Sequence, residues 1–258
     1  MKIFDVHAHV GKWRAWHMPS RQFTLKKQLD GMGRLMAELE YERCVVSSLR
    51  SLHHDLADGN REVLTSVETH DKIYGYVTVS PHYVEQSIAE VDRYAAHPKF
   101  LGLKNHPVIT GERVNTPRNF EILQHLRRKD YHLPVLLHTY DEADCRSVMA
   151  AAKRFPRQTF IMGHMCGPAW RACVDLLADA GEACERVYVE PASCSHPEVD
   201  KIRYARDRLG VERIVFGTDM DIINPAFGRG MILGADITAD EKRLILYDNA
   251  VRMFGLDA

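Results

Sequence analysis

One feature constrains the fold of this chain more than any other: short apolar runs alternate with helix-like segments from end to end. Runs rich in β-branched residues recur at 3–10, 43–49, 73–79, 100–106, 134–140, 159–165, 187–191 and 213–220, and each reads as a strand. Between them apolar residues fall at helical spacing, as in Leu29, Met32, Leu35, Met36 and Leu39 or in Ile88, Val91 and Tyr94. Ser80-Pro81 and Thr116-Pro117 supply helix-start signals before two of these segments. The runs recur about every 30 residues, the size of a strand, a helix and their connections. Eight such units predict an α/β chain closed into a single eight-stranded parallel (β/α) barrel of the TIM type. An open doubly wound sheet shares the alternation, but its Gly-x-Gly-x-x-Gly signature follows none of the early runs.

The 258 residues fit one barrel, and no Pro-, Gly- or Ser-rich linker divides them, so residues 1–258 are expected to form one domain. Apolar residues make up 45% of the chain and charged ones 27%, which excludes disorder as the default. Lys and Arg number 34 against 35 Asp and Glu, with no long block of either sign, so neither a nucleic-acid nor an anionic-membrane partner is expected. Charge interrupts the opening Met1-Lys2-Ile3-Phe4-Asp5, and no apolar stretch approaches the roughly 20 residues of a membrane span, which predicts a cytoplasmic protein. The six cysteines, Cys44, Cys145, Cys166, Cys173, Cys184 and Cys194, contain no Cys-x-x-Cys pair and read as reduced thiols in or near the core. The expected partner is a small-molecule substrate, and a homo-oligomer is compatible with the fold class.

Histidine supplies 14 of the 258 residues, and its placement carries the chemistry. In Asp5-Val6-His7-Ala8-His9 the period of two puts His7 and His9 on one strand face, the interior of a barrel. Later runs end on Lys104, His138, His164 and Asp219, where barrel enzymes place catalytic groups. Buried polar groups are costly unless compensated, and a divalent cation supplies the compensation. Three imidazoles and a carboxylate, His7, His9, His138 and Asp219, suit one zinc ion with an open position for water.

The Asp-x-His-x-His opening, the lone histidines ending the fifth and sixth runs, Phe216-Gly217-Thr218-Asp219 and the late Asn249-Ala250-x-Arg252-x-Phe254-Gly255 together resemble the amidohydrolase superfamily, specifically its amidohydrolase-related branch. The resemblance spans almost the whole chain. It implies metal ligation by His7, His9, His138 and Asp219, with His164 beside the metal as acid or base. Lys104 in Gly102-Leu103-Lys104-x-x-Pro107 is similar to a lysine that is carbamylated and bridges two metals in binuclear members; in mononuclear ones it would hold a substrate carboxylate. One ion is expected rather than two.

The activity expected from this set is metal-dependent hydrolysis of a small, carboxylated lactone, amide or related carbonyl compound by metal-activated water, with Asp219 and His164 catalytic. The alternative is a nonoxidative metal-dependent decarboxylase of the same branch; the intact His7-x-His9 pair and modest length favour hydrolysis. A third reading is a ligand-binding barrel without catalysis. His106, on the same face as Lys104, is a candidate for substrate contact, and Arg14, Arg50, Lys104 and Arg229 for a substrate carboxylate. His53 and His54 read as a solvated loop, and His70, His97, His125 and His132 as helix termini. The strand register leaves the direction of Glu190 open, and Cys166 has no evident partner. The two longest connections, 11–24 with Trp13, Trp16 and Arg21, and 221–237 with Phe227, are expected to shape the pocket.

Overall fold

The computed structural model describes residues 1–12, 24–192 and 198–257. Seven parallel strands pair in chain order: β1 (Ile3–Val10), β2 (Tyr41–Ser48), β3 (Ile73–Thr78), β4 (Phe100–Asn105), β5 (Val135–His138), β6 (Phe160–Gly163) and β7 (Val187–Val189). They curl into a half-barrel with helices packed outside. The helix-start signals act as predicted. Ser80 accepts a hydrogen bond from the His82 N–H at the turn leading into Val84–Tyr94, and Thr116 stands immediately before Pro117–Lys129. Among the described residues no helix is long and apolar enough to cross a membrane.

The eighth predicted strand, 213–220, is not a strand. The Val215 N–H bonds the Val189 carbonyl at 3.0 Å and the Phe216 carbonyl accepts from Val6 at 2.8 Å, so the segment touches both sheet edges. The ladder then breaks. The Thr218 and Asp219 N–H groups both turn to the His7 carbonyl, and Asp219 adopts φ 61°, which no strand residue does.

Side chains inside the curl lie in two layers. The lower is apolar and includes Phe4, Val6, Val45, Tyr76, Leu136, Ile161 and Val215. Two residues further along each strand the same face carries Ser47 after Val45, His138 after Leu136, Gly163 after Ile161, Glu190 after Tyr188 and Gly217 after Val215. The polar layer thus rests on an apolar floor at the carboxyl ends of the strands. In β1 the register slips between Asp5 and Ala8. Phe4 and Val6 belong to the inner floor, while Ala8 and Val10 pack outside, so the slip switches faces and brings His7 and His9 inward.

Candidate metal centre

His7, His9 and Asp219 are all buried, and their ligand atoms lie within 4.8 Å of one another. Asp219 Oδ1 is 2.9 Å from His9 Nε2 and 3.4 Å from His7 Nε2. The opposite ring nitrogens are held from behind. His7 Nδ1 lies 2.7 Å from Glu190 Oε1, and His9 Nδ1 lies 3.1 Å from Ser47 Oγ. A carboxylate can only accept, so His7 is protonated at Nδ1 and its Nε2 is the accepting nitrogen, which Lys104 Nζ approaches at 2.8 Å. Burial lowers the His7 pKa to about 4, with Lys104 adding to the effect, which keeps the ring neutral at pH 7. Burial works against the charge of Asp219, but His7 and the His9 hydrogen bond outweigh it and hold the carboxylate well below its usual range.

Glu190 is the support whose direction the sequence left open. It is completely buried in the polar layer. Oε1 also accepts the His164 N–H at 2.8 Å, and Oε2 accepts the Ala192 N–H at 2.6 Å. Burial alone would raise this carboxyl; His7, charged only in the acid range where Glu190 titrates, and its hydrogen bond prevail and leave it at about 2. Although His7, His164 and Glu190 also cluster within 4.8 Å, the carboxylate is fully engaged in orienting the histidines. Room for it comes from glycine: a Cβ on Gly217 would lie 2.4 Å from Oε2, and one on Gly163 would lie 3.2 Å from Oε1.

His138 and His164 form a second pair. His164 Nδ1 donates to the Ala192 carbonyl at 2.5 Å, and its Nε2 is 3.0 Å from His138 Nδ1. In a neutral pair that Nε2 accepts, His138 is protonated at Nδ1, and His138 Nε2 is left bare. His138 is held at about 2 by burial and then by His164. It stands outside the His7–His9–Asp219 trio, joined to it through His164, whose ring lies 5.0 Å from that of His7 and 4.5 Å from that of His138. His106 stacks on His138 with ring centroids 4.0 Å apart, while its Nδ1 accepts from Ile109 and opens the turn Pro107–Thr110. It therefore serves as a turn residue whose ring also covers that of His138. Lys104, wholly buried, places Nζ 2.8 Å from His7 Nε2, and burial lowers its pKa to about 8.

The donor set fits a divalent cation: the buried imidazoles of His7 and His9 converge on an ionised carboxylate, and each ring is backed by an orienting partner. Sequence reasoning gave no role to Asp5 or Ser47. Asp5 accepts from the backbone of His7 and Thr218 and from the Thr218 hydroxyl, fastening β1 to the segment that carries Asp219. Its only signal was a carboxylate two residues before His7.

Other expected placements change. Arg50 pairs with Asp58 and Glu62, and Arg229 with Glu40, so both guanidinium groups are engaged in ion pairs. His53 ends the short helix Leu49–His53, while His54 lies exposed in the turn that follows it, as expected of a solvated loop. His125 is buried within a helix and bonds Asp92 at 2.8 Å. Much of connection 221–237 is helix Pro225–Leu233, with Phe227 exposed. Trp13, Arg14, Trp16, Arg21 and Cys194 lie outside the described residues.

The family model for amidohydrolases matches residues 4–256. The chain belongs to the amidohydrolase family. Membership makes it a metal-dependent enzyme. No curated protein matches the sequence. Among solved structures, 5-carboxyvanillate decarboxylase from Sphingomonas paucimobilis is similar with TM-score 0.76 at 14% identity, covering 99% of both chains. A dihydroxybenzoic acid decarboxylase from Polaromonas sp. JS666, solved with manganese and 2-nitroresorcinol, gives 0.74 at 14%, covering 98% of this chain and 97% of that one. An amidohydrolase from Burkholderia multivorans, solved with zinc, gives 0.75 at 16% over the whole of both chains. At these identities the likeness establishes the amidohydrolase fold.

Proposed function

We propose that this amidohydrolase is a nonoxidative decarboxylase of a small hydroxylated aromatic carboxylate, dependent on one divalent cation held by His7, His9, Asp219 and His138. The observation that carries the reading is the convergence of His7 Nε2 and His9 Nε2 on Asp219 Oδ1 beside the His138–His164 pair. When bound there, a cation of the manganese or zinc class acts as a Lewis acid toward substrate oxygens. Two observations favour decarboxylation over the hydrolysis expected from sequence. Similar folds with named reactions include aromatic acid decarboxylases. A carboxylate held as low as Asp219 binds a proton weakly, which suits a ligand better than the base that hydrolysis requires of it.

The residues divide the work. Glu190 and Ser47 fix the histidine rings, and Asp219 supplies the negative charge that balances the cation. Lys104, inside the site and with its pKa near neutrality, binds the substrate carboxylate. As the bond from ring carbon to carboxylate breaks, carbon dioxide leaves and the electron pair stays on the carbon. That carbon takes a proton from His164 Nε2, the ring nitrogen not committed to the backbone, after Nε2 has drawn a proton from solvent and released the hydrogen bond from His138 Nδ1. His106 and His138 wall the substrate plane. A single ion would be held by His7, His9 and Asp219, since Glu190 in the neighbouring His7–His164–Glu190 cluster is taken up by the three N–H groups it accepts.

The second reading, hydrolysis of a carboxylated lactone or amide, is supported by the intact His7-x-His9 pair. A panel of ortho-hydroxylated benzoates and lactones, assayed with manganese or zinc, separates the two. Carbon dioxide released one-for-one with loss of the benzoate is expected; lactone opening without carbon dioxide from any acid would overturn the proposal.

A further inference from the structure

Apart from the site already described, the described residues bring one other set of ligand-type side chains together. Cys145, Cys166 and Cys173 are buried free thiols whose sulfur atoms lie within 4.8 Å of one another. They come from three places: Cys145 from helix Glu142–Arg154, Cys173 from helix Trp170–Asp179, and Cys166 from the turn after β6. The thioether of Met149 lies 3.9 Å from Cys145 Sγ. A cation bonded to three thiolates at about 2.3 Å holds its sulfurs about 4 Å apart, so these thiols are already near ligand spacing. Sulfur-only surroundings select closed-shell thiophilic ions over manganese or magnesium.

Two further observations point the same way. Lys201 is completely buried, and its ammonium has no hydrogen-bond partner among the described residues. Cys166 is among the groups that act on its charge, after Glu190 and Glu198, and a cation bound by three thiolates would add negative charge there. The turn is also strained. His164, Met165 and Cys166 have φ of 61°, 49° and 62°, three successive non-glycine residues in the left-handed region before Gly167 at 50°. Cys166 is the residue through which a bridge to the two helices would pin this turn, two positions from His164.

We infer that Cys145, Cys166 and Cys173 form a second metal site, for a thiophilic d10 cation, that fastens the His164 turn to helices Glu142–Arg154 and Trp170–Asp179. Loading the site with a divalent ion replaces three S–H bonds by three metal–sulfur bonds and releases three protons to solvent, with no change of oxidation state. The site does not depend on which reaction the first centre performs.

The test uses the full chain, reduced and with manganese in the first centre, and cadmium as the probe. One cadmium per chain should bind with a thiolate-to-cadmium charge-transfer band in the ultraviolet, which nitrogen and oxygen ligands do not produce. About three protons should be released per ion, and the melting temperature should rise. Cys173→Ser should lose the band while retaining manganese. Absence of the band in wild-type protein whose six thiols titrate as reduced after unfolding overturns the inference. An undiminished band in folded Cys173→Ser does so too. If that variant does not fold, the wild-type band and proton count decide.

Discussion

Replacing Glu190 by Gln tests how the metal centre is built. The carboxylate takes three donors: His7 Nδ1–H and the His164 N–H on Oε1, and the Ala192 N–H on Oε2. An amide has one accepting end. In either orientation its NH2 group meets at least one of those donors in a fully buried position, leaving a donor unsatisfied at a cost of about 1–3 kcal/mol. The charge-assisted bond that fixes the His7 tautomer weakens as well, and losing such a partner lowers metal affinity about 10–100-fold, or about 1.4–2.7 kcal/mol. Manganese titration against a competing chelator, paired with urea unfolding of the metal-free protein, reads both effects. Gly217→Ala should reproduce them in milder form by crowding Oε2. A Glu190→Gln protein that binds manganese within about threefold of wild type while losing stability would refute the reasoning, because it would make Glu190 a packing residue with no hold on the His7 lone pair.

Asp219→Asn removes the charge shared by His7 and His9 and should weaken metal binding by more than about 100-fold; normal turnover in a metal-loaded variant would contradict its assignment. His164→Asn should retain the metal and lower kcat by about 10²–10⁴-fold, and an unchanged kcat would remove it as proton donor. Asp5 offers a pH test. Burial raises its carboxyl to about 8, so the folded metal-free protein holds a proton that the unfolded chain releases near 3.8. Its contribution to stability is full below the unfolded value and is lost as pH rises through about 8. Asp5→Asn imitates the protonated form and should gain on wild type steadily between pH 5 and pH 8 in urea unfolding; a variant that loses ground over that range would show Asp5 to be ionised.

Much of this architecture is legible in the sequence because the relevant signals are local. Strand β1 spans the predicted residues 3–10, and the polar residues ending the runs gather in one layer. What could not be read depends on contacts between distant segments. The 213–220 run has the composition of a strand, yet Asp5 and the His7 carbonyl capture its N–H groups and break the ladder. The simple alternation that placed His7 and His9 inward holds only because of a register slip that nothing in Asp5-Val6-His7 announces. Glu190 follows a three-residue strand, too short to reveal a facing pattern. Arg229 looked free for a substrate, but its partner, Glu40, is 189 positions away. The three thiols show no motif because two helices and a turn bring them together.

The central claim is that one cation sits where His7, His9 and Asp219 converge. Anomalous diffraction at the manganese edge, from crystals of protein reconstituted with manganese, tests it directly, since manganese is poorly held by thiols. The account predicts a single peak bonded to His7 Nε2, His9 Nε2 and Asp219 Oδ1, with His138 completing the set. Two peaks bridged through Lys104, or none among these side chains, would contradict it.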